Sequence, residues 1–161
     1  MKQEAPTNMT PEKAQEILAF AKDQAHQLFQ KLPMLGPVSW LLMQQSQTRH
    51  SLISELEWRV LPALMQDQAK LYMRGDAPLA YVSWARLSPD VAQRYRQTPH
   101  RLTFQDWQSG DQIWLIDLVA PFGGVANVMD ELRTQVLKGQ TIHQLAPSPT
   151  DASRVLTWPV A

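Results

Sequence analysis

The strongest candidate for a chemical role in this sequence is Asp117, the one acid in an almost continuously apolar stretch. That stretch, Ile113–Ala120 (IWLIDLVA), is rich in β-forming residues and predicts a central strand covered on both faces. Strict alternation places Asp117 on one face with Leu115 and Val119, aimed into an apolar layer. A buried carboxylate needs a partner. Asp117 is therefore either a structural acid, held by backbone amides or an arginine, or a catalytic group.

The histidines are the other candidates for proton transfer, and they are few: His26, His50, His100 and His143. His50 lies in the polar loop QSQTRHS between two apolar segments, where a titrating imidazole can reach a cleft. An unspecialised surface histidine is the alternative interpretation. The chain has no cysteine, which excludes disulfides, thiolate metal sites and a cysteine nucleophile. No metal-ligand cluster, phosphate loop or Ser-His-Asp signature stands out, so neither a metal nor a cofactor is predicted.

One segment of the chain is strongly basic, although fifteen basic residues balance fifteen acidic ones overall. The balanced total predicts no attraction to nucleic acid or an anionic membrane. Between residues 86 and 101 a single acid, Asp90, accompanies four arginines: Arg86, Arg94, Arg96 and Arg101. This bias predicts either a solvated helix face or a docking surface for an acidic protein. With no apolar run near the roughly 20 residues that span a bilayer, and no signal-peptide pattern, a cytoplasmic protein without membrane insertion is expected.

The elements that must position these residues begin with helices. A disordered segment is predicted over residues 1–10, followed by a capped helix over residues 11–32. Apolar residues recur along that helix at spacings of three and four, which predicts a stripe that faces a partner surface in ordinary packing: Leu18, Ala21, Ala25, Leu28 and Leu32. Pro33 and Gly36 predict a break, after which residues 38–43 form a short docked helix.

The remaining chain changes from helical to strand-like periodicity. A helix over residues 52–65 is bent or ended by Pro62, and a hairpin over residues 71–85 turns at RGDAP. Helices over residues 88–99 and 125–138 flank the central strand, and a last strand is predicted near residues 155–158. This order of helices, hairpin, central strand, helix and tail predicts a mixed α/β layer structure.

Five separated blocks of the sequence resemble the successive landmarks of the RTX toxin-activating lysine acyltransferases. In the family order, and at closely similar spacing, they are LGPVSWLL (35–42), VLPAL (60–64), LAYVSWA (79–85), DWQSGDQIW (106–114) and IDLVAPFGG (116–124). The resemblance covers residues 35–124 and fades beyond them. It implies an α+β fold, with a GNAT-like mixed β-sheet flanked by helices in a single domain over residues 34–161. The helix over residues 11–33 is then an extra N-terminal extension.

The resemblance also implies a function: transfer of a fatty acyl group from acyl carrier protein to internal lysines of an RTX protoxin. Acyl carrier protein and protoxin are the implied partners, no cofactor is implied, and a homodimer is one option for the oligomeric state. An acidic carrier protein would dock on Arg49 together with Arg86, Arg94, Arg96 and Arg101. The acyl chain would lie in a groove formed by Trp40, Leu41 and Met43.

The family pairs a histidine with an aspartate, and Asp117 falls on the aspartate. An ungapped match places Thr48 at the histidine and Arg49 at the arginine that follows it. Either the loop is shifted so that His50 fills the catalytic role, or the base has been lost. In the second case the chain is a degenerate member that binds toxin or carrier protein without catalysis. An acetyltransferase that uses acetyl-CoA is a third option, disfavoured because no glycine-rich pyrophosphate loop is evident.

Overall fold

Helix α1 (Pro11–Gln44) is the longest element of the computed structural model, which describes residues 10–161. Thr10 caps it through its hydroxyl, which accepts a backbone amide hydrogen bond of 3.4 Å. The predicted break is wrong, because helical backbone continues through Pro33 and Pro37. The two prolines are four residues apart and so share one face, and both are at least partly exposed. Water can therefore solvate the carbonyls that lose their amide donors.

Only the C-terminal part of α1 packs on the domain. Val38, Leu41 and Leu42 are buried against the sheet, whereas every residue from 11 to 23 is exposed. The partner surface predicted for the stripe on residues 11–32 is thus not supplied by the described residues of the chain. The predicted disordered segment lies outside those residues, except for Thr10.

The segment predicted as one bent helix over residues 52–65 forms three short pieces: a 3-10 helix (Ile53–Glu55), α2 (Leu56–Arg59) and α3 (Leu61–Met65). Pro62 has no amide hydrogen to bond the carbonyl of Trp58, four residues earlier. That carbonyl accepts the indole N–H of Trp107 instead, at 3.2 Å. The proline therefore breaks the helix and frees an acceptor that ties the piece to the rest of the domain.

A five-stranded mixed sheet forms the centre of the molecule, in the order β1-β2-β3-β4-β5. Its strands are β1 (Ala69–Arg74), β2 (Ala77–Leu87), β3 (Gln112–Val119), β4 (Ile142–Leu145) and β5 (Val155–Trp158). The β3–β4 pair is parallel and the other three pairs are antiparallel. The hairpin, the central strand and the last strand are confirmed. Strand β4 was not predicted, because four partly polar residues give too short a pattern.

Helices cover both faces of the sheet. Helix α5 (Val125–Glu131) and the π-helical turn after it (Leu132–Val136) pack on one face. The other face carries α1, α3 and α4 (Pro89–Tyr95), with the 3-10 helix Phe104–Trp107 beside them. The predicted α+β class is confirmed, and the arrangement is consistent with the GNAT-like architecture that the resemblance implies. None of the helices in residues 10–161 is both long enough and apolar enough to cross a membrane.

Candidate functional site

Asp117 owes its position to a β-bulge in β3. Ser83 on β2 pairs with Asp117, but the next β2 residue, Trp84, pairs with Leu115, so Ile116 is an extra residue. Directly paired residues share a face of the sheet. The predicted alternation is therefore wrong at this point: Leu115 packs on the α5 face, while Asp117 lies on the opposite face with Ser83. The bulge re-aims the carboxylate toward the helices that cover that face.

The carboxylate of Asp117 is held by a multidentate ion pair with Arg59, at the end of α2. The Nε atom of Arg59 donates to both carboxylate oxygens, at 2.9 and 2.8 Å, and an Nη atom donates to Oδ1 at 2.5 Å. The side chain of Asp117 is 3% exposed and that of Arg59 is 22% exposed. Burial disfavours the charged guanidinium, but the hydrogen bonds and charge of Asp117 outweigh this and raise the pKa of Arg59. The structure therefore contains the arginine partner that the sequence analysis offered for a structural Asp117.

Other buried polar groups surround this ion pair. Burial, and then the negative charge of Asp117, raise the pKa of the Tyr81 and Tyr95 phenols, so both stay neutral at ordinary pH. Among residues 10–161, neither the Tyr81 hydroxyl nor the Ser83 hydroxyl meets the geometry of a hydrogen bond, although both are buried. The Ser83 hydroxyl is nevertheless close enough to lower the pKa of Tyr81, against the larger effect of burial. This face of the sheet therefore combines an ion pair with two neighbouring buried hydroxyls.

The loop after α1 is pinned to the end of β3. The side-chain oxygen of Gln45 accepts a hydrogen bond from the backbone amide of Ala120, at 3.1 Å. The backbone carbonyl of Gln45 accepts hydrogen bonds from the amides of Thr48 and Arg49. Thr48 is buried, and its hydroxyl donates to the carbonyl of Leu42 at 2.6 Å. Thr48, which the ungapped match is expected to place at the family's histidine, therefore has a structural hydroxyl that closes the end of α1.

An open cleft of about 370 Å³ lies between the end of α1 and the segment that follows the loop. Apolar side chains dominate its lining, with polar residues among them: Ser39, Leu42, Met43, Thr48, Arg49, Ser51, Leu52, Ile53 and Leu56. An Nη atom of Arg59 lies 3.5 Å from the Ser51 hydroxyl, so the buried ion pair reaches the lining of the cleft. The cleft thus joins the Thr48 position, an apolar surface and, through Arg59, Asp117.

His50 is exposed and is not part of the cleft lining. His50 and Asp117 share no hydrogen bond, and both carboxylate oxygens of Asp117 accept from Arg59 instead. The three residues predicted to form an acyl groove do not lie together in the structure. Met43 lines the cleft, Trp40 stacks on Phe122 with ring centroids 5.6 Å apart, and Leu41 is fully buried in the core. Leu41 cannot line a groove, because the helical period turns it toward the sheet with Val38 and Leu42.

The five arginines predicted to dock a carrier protein have different surroundings. Arg94 bonds the Asp106 carboxylate at 2.5 Å, and Nε of Arg96 donates to the Ser153 carbonyl at 3.3 Å. Arg49 lines the cleft, Arg86 is half-buried on β2, and Arg101 is exposed. Arg94 therefore has a structural role, whereas Arg96 and Arg101 are the more available cations of this segment.

Arg59 is the residue of this candidate site that the sequence analysis did not identify. It lies in the predicted helix over residues 52–65, where a single arginine is an ordinary solvated residue. The only available signal was indirect, since a carboxylate in an apolar strand predicts a cationic partner somewhere in the chain. Nothing in the sequence selects Arg59 from the other arginines.

The fold and this site define an α+β domain in which a buried aspartate on a bulged central strand lies near an apolar cleft. Residues 27–159 match the model of the RTX toxin acyltransferase family, and the chain belongs to this family.

Three relatives illustrate the similarity. The RTX-II toxin-activating lysine-acyltransferase ApxIIC of Actinobacillus pleuropneumoniae is 33% identical over 125 residues, 76% of this chain and 78% of that protein. The leukotoxin-activating lysine-acyltransferase LtxC of Aggregatibacter actinomycetemcomitans is 42% identical over 90 residues, 56% of this chain and 54% of that protein. The protein-lysine myristoyltransferase HlyC of Escherichia coli is 42% identical over 92 residues, 57% of this chain and 54% of that protein. The matches to LtxC and HlyC thus span about half the length of those relatives.

Proposed function

We propose that this chain transfers a fatty acyl group from acyl carrier protein to the ε-amino group of internal lysines of an RTX protoxin. Membership of the family supports this proposal, since relatives are named as lysine acyltransferases that activate RTX toxins and leukotoxins. The observation that carries it is the apolar cleft lined by Thr48, the residue that the ungapped match aligns with the family's histidine.

The cleft has the chemistry that an acyl chain requires. Leu42, Met43 and Leu56 supply apolar walls, and Leu52 and Ile53 extend them at the exposed edge. Ligand sites of this kind combine an apolar lining with a few polar groups that fix orientation. Ser39, Ser51 and Arg49 provide polar groups around the apolar walls, where a thioester carbonyl would lie.

The reaction also requires a proton acceptor. A lysine amine has a pKa of about 10.4, so removing its proton at pH 7 costs about 4.6 kcal/mol. In the proposed reaction the free amine attacks the thioester carbonyl directly, the carrier thiol leaves, and an amide forms. His50, beside the cleft residues Arg49 and Ser51, accepts the proton. Asp117 acts as a positioning residue through Arg59 and Ser51, and does not contact the imidazole.

A second candidate function is binding of toxin or carrier protein without catalysis. The ion pair favours it, because Arg59 occupies the carboxylate that would otherwise orient a base or hold an incoming ammonium. The Thr48 hydroxyl favours it as well, since it donates to the Leu42 carbonyl and a hydroxyl is no base near neutral pH.

One experiment separates the two candidates. Purified protein is incubated with myristoyl-loaded acyl carrier protein and a protoxin fragment, and the fragment's lysines are examined by mass spectrometry. Acylated lysines are expected for the enzyme. Complex formation without a mass increase would establish the binder, and the absence of both would refute both proposals.

A cleft variant tests the acyl site. Ile53→Glu places a charge in the apolar lining of the cleft. Because the Ile53 side chain is 86% exposed, the change is not expected to lower the stability of the fold. Transfer is expected to fall at least about tenfold. Met73→Glu is the matched control, because Met73 is an exposed apolar residue on β1 that is not part of the cleft lining. Equal activities of the two variants would remove the cleft as the acyl site.

A further inference from the structure

The hydroxyl of Ser51 is a polar group of the cleft whose oxygen faces a buried cation. Ser51 lines the cleft, and its oxygen accepts a hydrogen bond of 3.5 Å from an Nη atom of Arg59. A guanidinium donates hydrogen bonds and cannot accept them, so this contact does not use the hydrogen of the Ser51 hydroxyl. That hydrogen is available to a ligand atom in the cleft.

The contact with Arg59 also makes the Ser51 hydroxyl a stronger donor. An oxygen that accepts from a cation holds less electron density, which polarises its own O–H bond. Three hydrogen bonds to the Asp117 carboxylate hold the Arg59 guanidinium in place. Because Asp117 is a buried residue of the central strand β3, the group that polarises Ser51 is anchored in the sheet.

The backbone of Ser51 is fixed as well. Its amide donates to the Thr48 carbonyl at 3.0 Å, and the buried Thr48 hydroxyl donates to the Leu42 carbonyl at 2.6 Å. These bonds tie Ser51 to the end of α1, the other side of the cleft. A donor that is held in this way needs little rearrangement when a negative charge develops beside it, which is the requirement for stabilising a transition state.

The other polar groups of the lining suit this task less well. The Thr48 hydroxyl uses its hydrogen in the bond to the Leu42 carbonyl. The Arg49 side chain is exposed, so water weakens the effect of its charge. Ser39 is a helical residue of α1, and serine hydroxyls in helices commonly bond the carbonyl four residues earlier.

We infer that the Ser51 hydroxyl stabilises the oxyanion that forms on the thioester carbonyl during acyl transfer, and that Arg59 is its positioning residue. The inference rests on the proposed function. As the lysine nitrogen bonds to the carbonyl carbon, an electron pair of the C=O bond moves to the oxygen, which accepts a hydrogen bond from Ser51. Collapse restores the double bond and breaks the carbon–sulfur bond. The proton that His50 takes from the amine passes to the leaving thiolate, and Ser51 stays neutral and unmodified.

Steady-state kinetics of transfer from myristoyl-loaded acyl carrier protein test the role of Ser51. Ser51→Ala is expected to lower kcat by roughly 10²-fold, the scale for loss of one oxyanion donor. KM should change little, because the ground state lacks the charge that Ser51 stabilises. Ser51→Thr keeps a hydroxyl and should retain most of the activity. The matched control is Ser54→Ala, at an exposed serine outside the cleft lining. Equal kcat values for Ser51→Ala and Ser54→Ala overturn the inference.

A double variant tests the positioning role of Arg59. If Arg59 acts through Ser51, Arg59→Met combined with Ser51→Ala is expected to be no slower than the slower of the two single variants. A purely structural role of Arg59 would instead multiply the two losses in kcat, and that result would remove Arg59 as a positioning residue.

A binding experiment separates a failure of this inference from a failure of the proposed function. Tetradecylphosphonate has an anionic, tetrahedral head group on an apolar chain, whereas tetradecanol has a neutral head group on the same chain. Calorimetry is expected to show that Ser51→Ala weakens phosphonate binding roughly tenfold and leaves alcohol binding nearly unchanged. This result with a wild type that transfers no acyl group would reject the proposed function and support Ser51 as a donor to an anion. Acyl transfer together with unchanged kcat and unchanged phosphonate affinity in Ser51→Ala would reject only the inference.

Discussion

At the scale of single residues, Asp117 has the structural role that the sequence offered as one alternative, and the proposed function adds a role in catalysis. Its ion pair with Arg59 is a structural feature, because it neutralises a carboxylate that is 3% exposed. The same pair reaches the cleft through Ser51, which connects the buried charge to the surface where chemistry is proposed. A change at Asp117 therefore affects both stability and the site.

Asp117→Asn is expected to abolish acyl transfer and to lower the free energy of unfolding by about 1 to 3 kcal/mol. The amide keeps the shape but leaves the Arg59 guanidinium without its counter-charge. The cost stays below the roughly 3 to 5 kcal/mol of a fully buried pair because Arg59 is partly solvated. Urea unfolding measures the loss. Arg59→Met and the double variant complete a thermodynamic cycle, and additive losses would show that the pair contributes no coupling.

The proton acceptor is tested by the pH dependence of transfer. With His50 as the base, its removal is expected to make transfer depend on the unprotonated fraction of the lysine amine. His50→Ala should slow transfer by roughly 10² and leave a rate that rises tenfold per pH unit, following the free amine. Thr48→His is the companion variant, which places a histidine where the resemblance implies one. A wild-type rate that His50→Ala does not change would remove His50 as the base.

At the scale of elements, a close backbone contact explains why one sequence block contains a glycine. Gly110, in DWQSGDQIW, lies against the end of β2 and the start of α4. A Cβ atom there would lie 2.4 Å from the backbone nitrogen of Ser88 and 2.6 Å from the carbonyl carbon of Leu87. The Gly110 amide donates to the Arg86 carbonyl at 3.1 Å, which fixes the approach. Glycine is needed here for space.

Gly110→Ala is expected to lower the free energy of unfolding by about 1 to 3 kcal/mol, because backbone on both sides has to move apart. The matched control is Gly36→Ala in α1, where an added Cβ meets nothing within 4 Å. That change should alter stability by less than about 0.5 kcal/mol, since the helical preference for alanine is opposed by crowding from Pro37. Thermal unfolding of both variants measures the difference. Equal losses would refute the close-contact explanation.

At the scale of the whole molecule, a neutral chain carries a local basic segment that suits an acidic partner. Arg94 is a poor choice for testing it, because its ion pair with Asp106 supports the 3-10 helix over residues 104–107. Arg96 and Arg101 are exposed and offer a cleaner test.

The double variant Arg96→Glu with Arg101→Glu is expected to slow association with acyl carrier protein at least about tenfold at low salt, with a smaller effect at high salt. The reason is electrostatic steering, which acts mainly on association rates. Stopped-flow kinetics at two ionic strengths measure it. Lys13→Glu with Lys138→Glu has the same charge change at exposed residues elsewhere. If this control slows binding equally, only net charge matters; unchanged rates for both variants would make the segment a solvated face.

The sequence by itself determined the mixed layers of helices and strands, the hairpin, the central strand and the need of Asp117 for a partner. These features depend on local periodicity, turn residues and the cost of a carboxylate among apolar side chains. The start of α1 could also be predicted, because the cap at Thr10 is a local signal.

Tertiary structure decided which face Asp117 occupies, which cation it meets and how far α1 extends. A bulge at Ile116 depends on pairing with a distant strand, so no pattern within β3 reveals it. The sequence does not distinguish Arg59 from the other arginines. Only the fold, which places α2 beside β3, makes it the partner of Asp117. The prolines of α1 indicate a break, yet residues 38–42 pack on the sheet and continue the helix. In each case contacts between residues far apart in the chain outweigh a local preference.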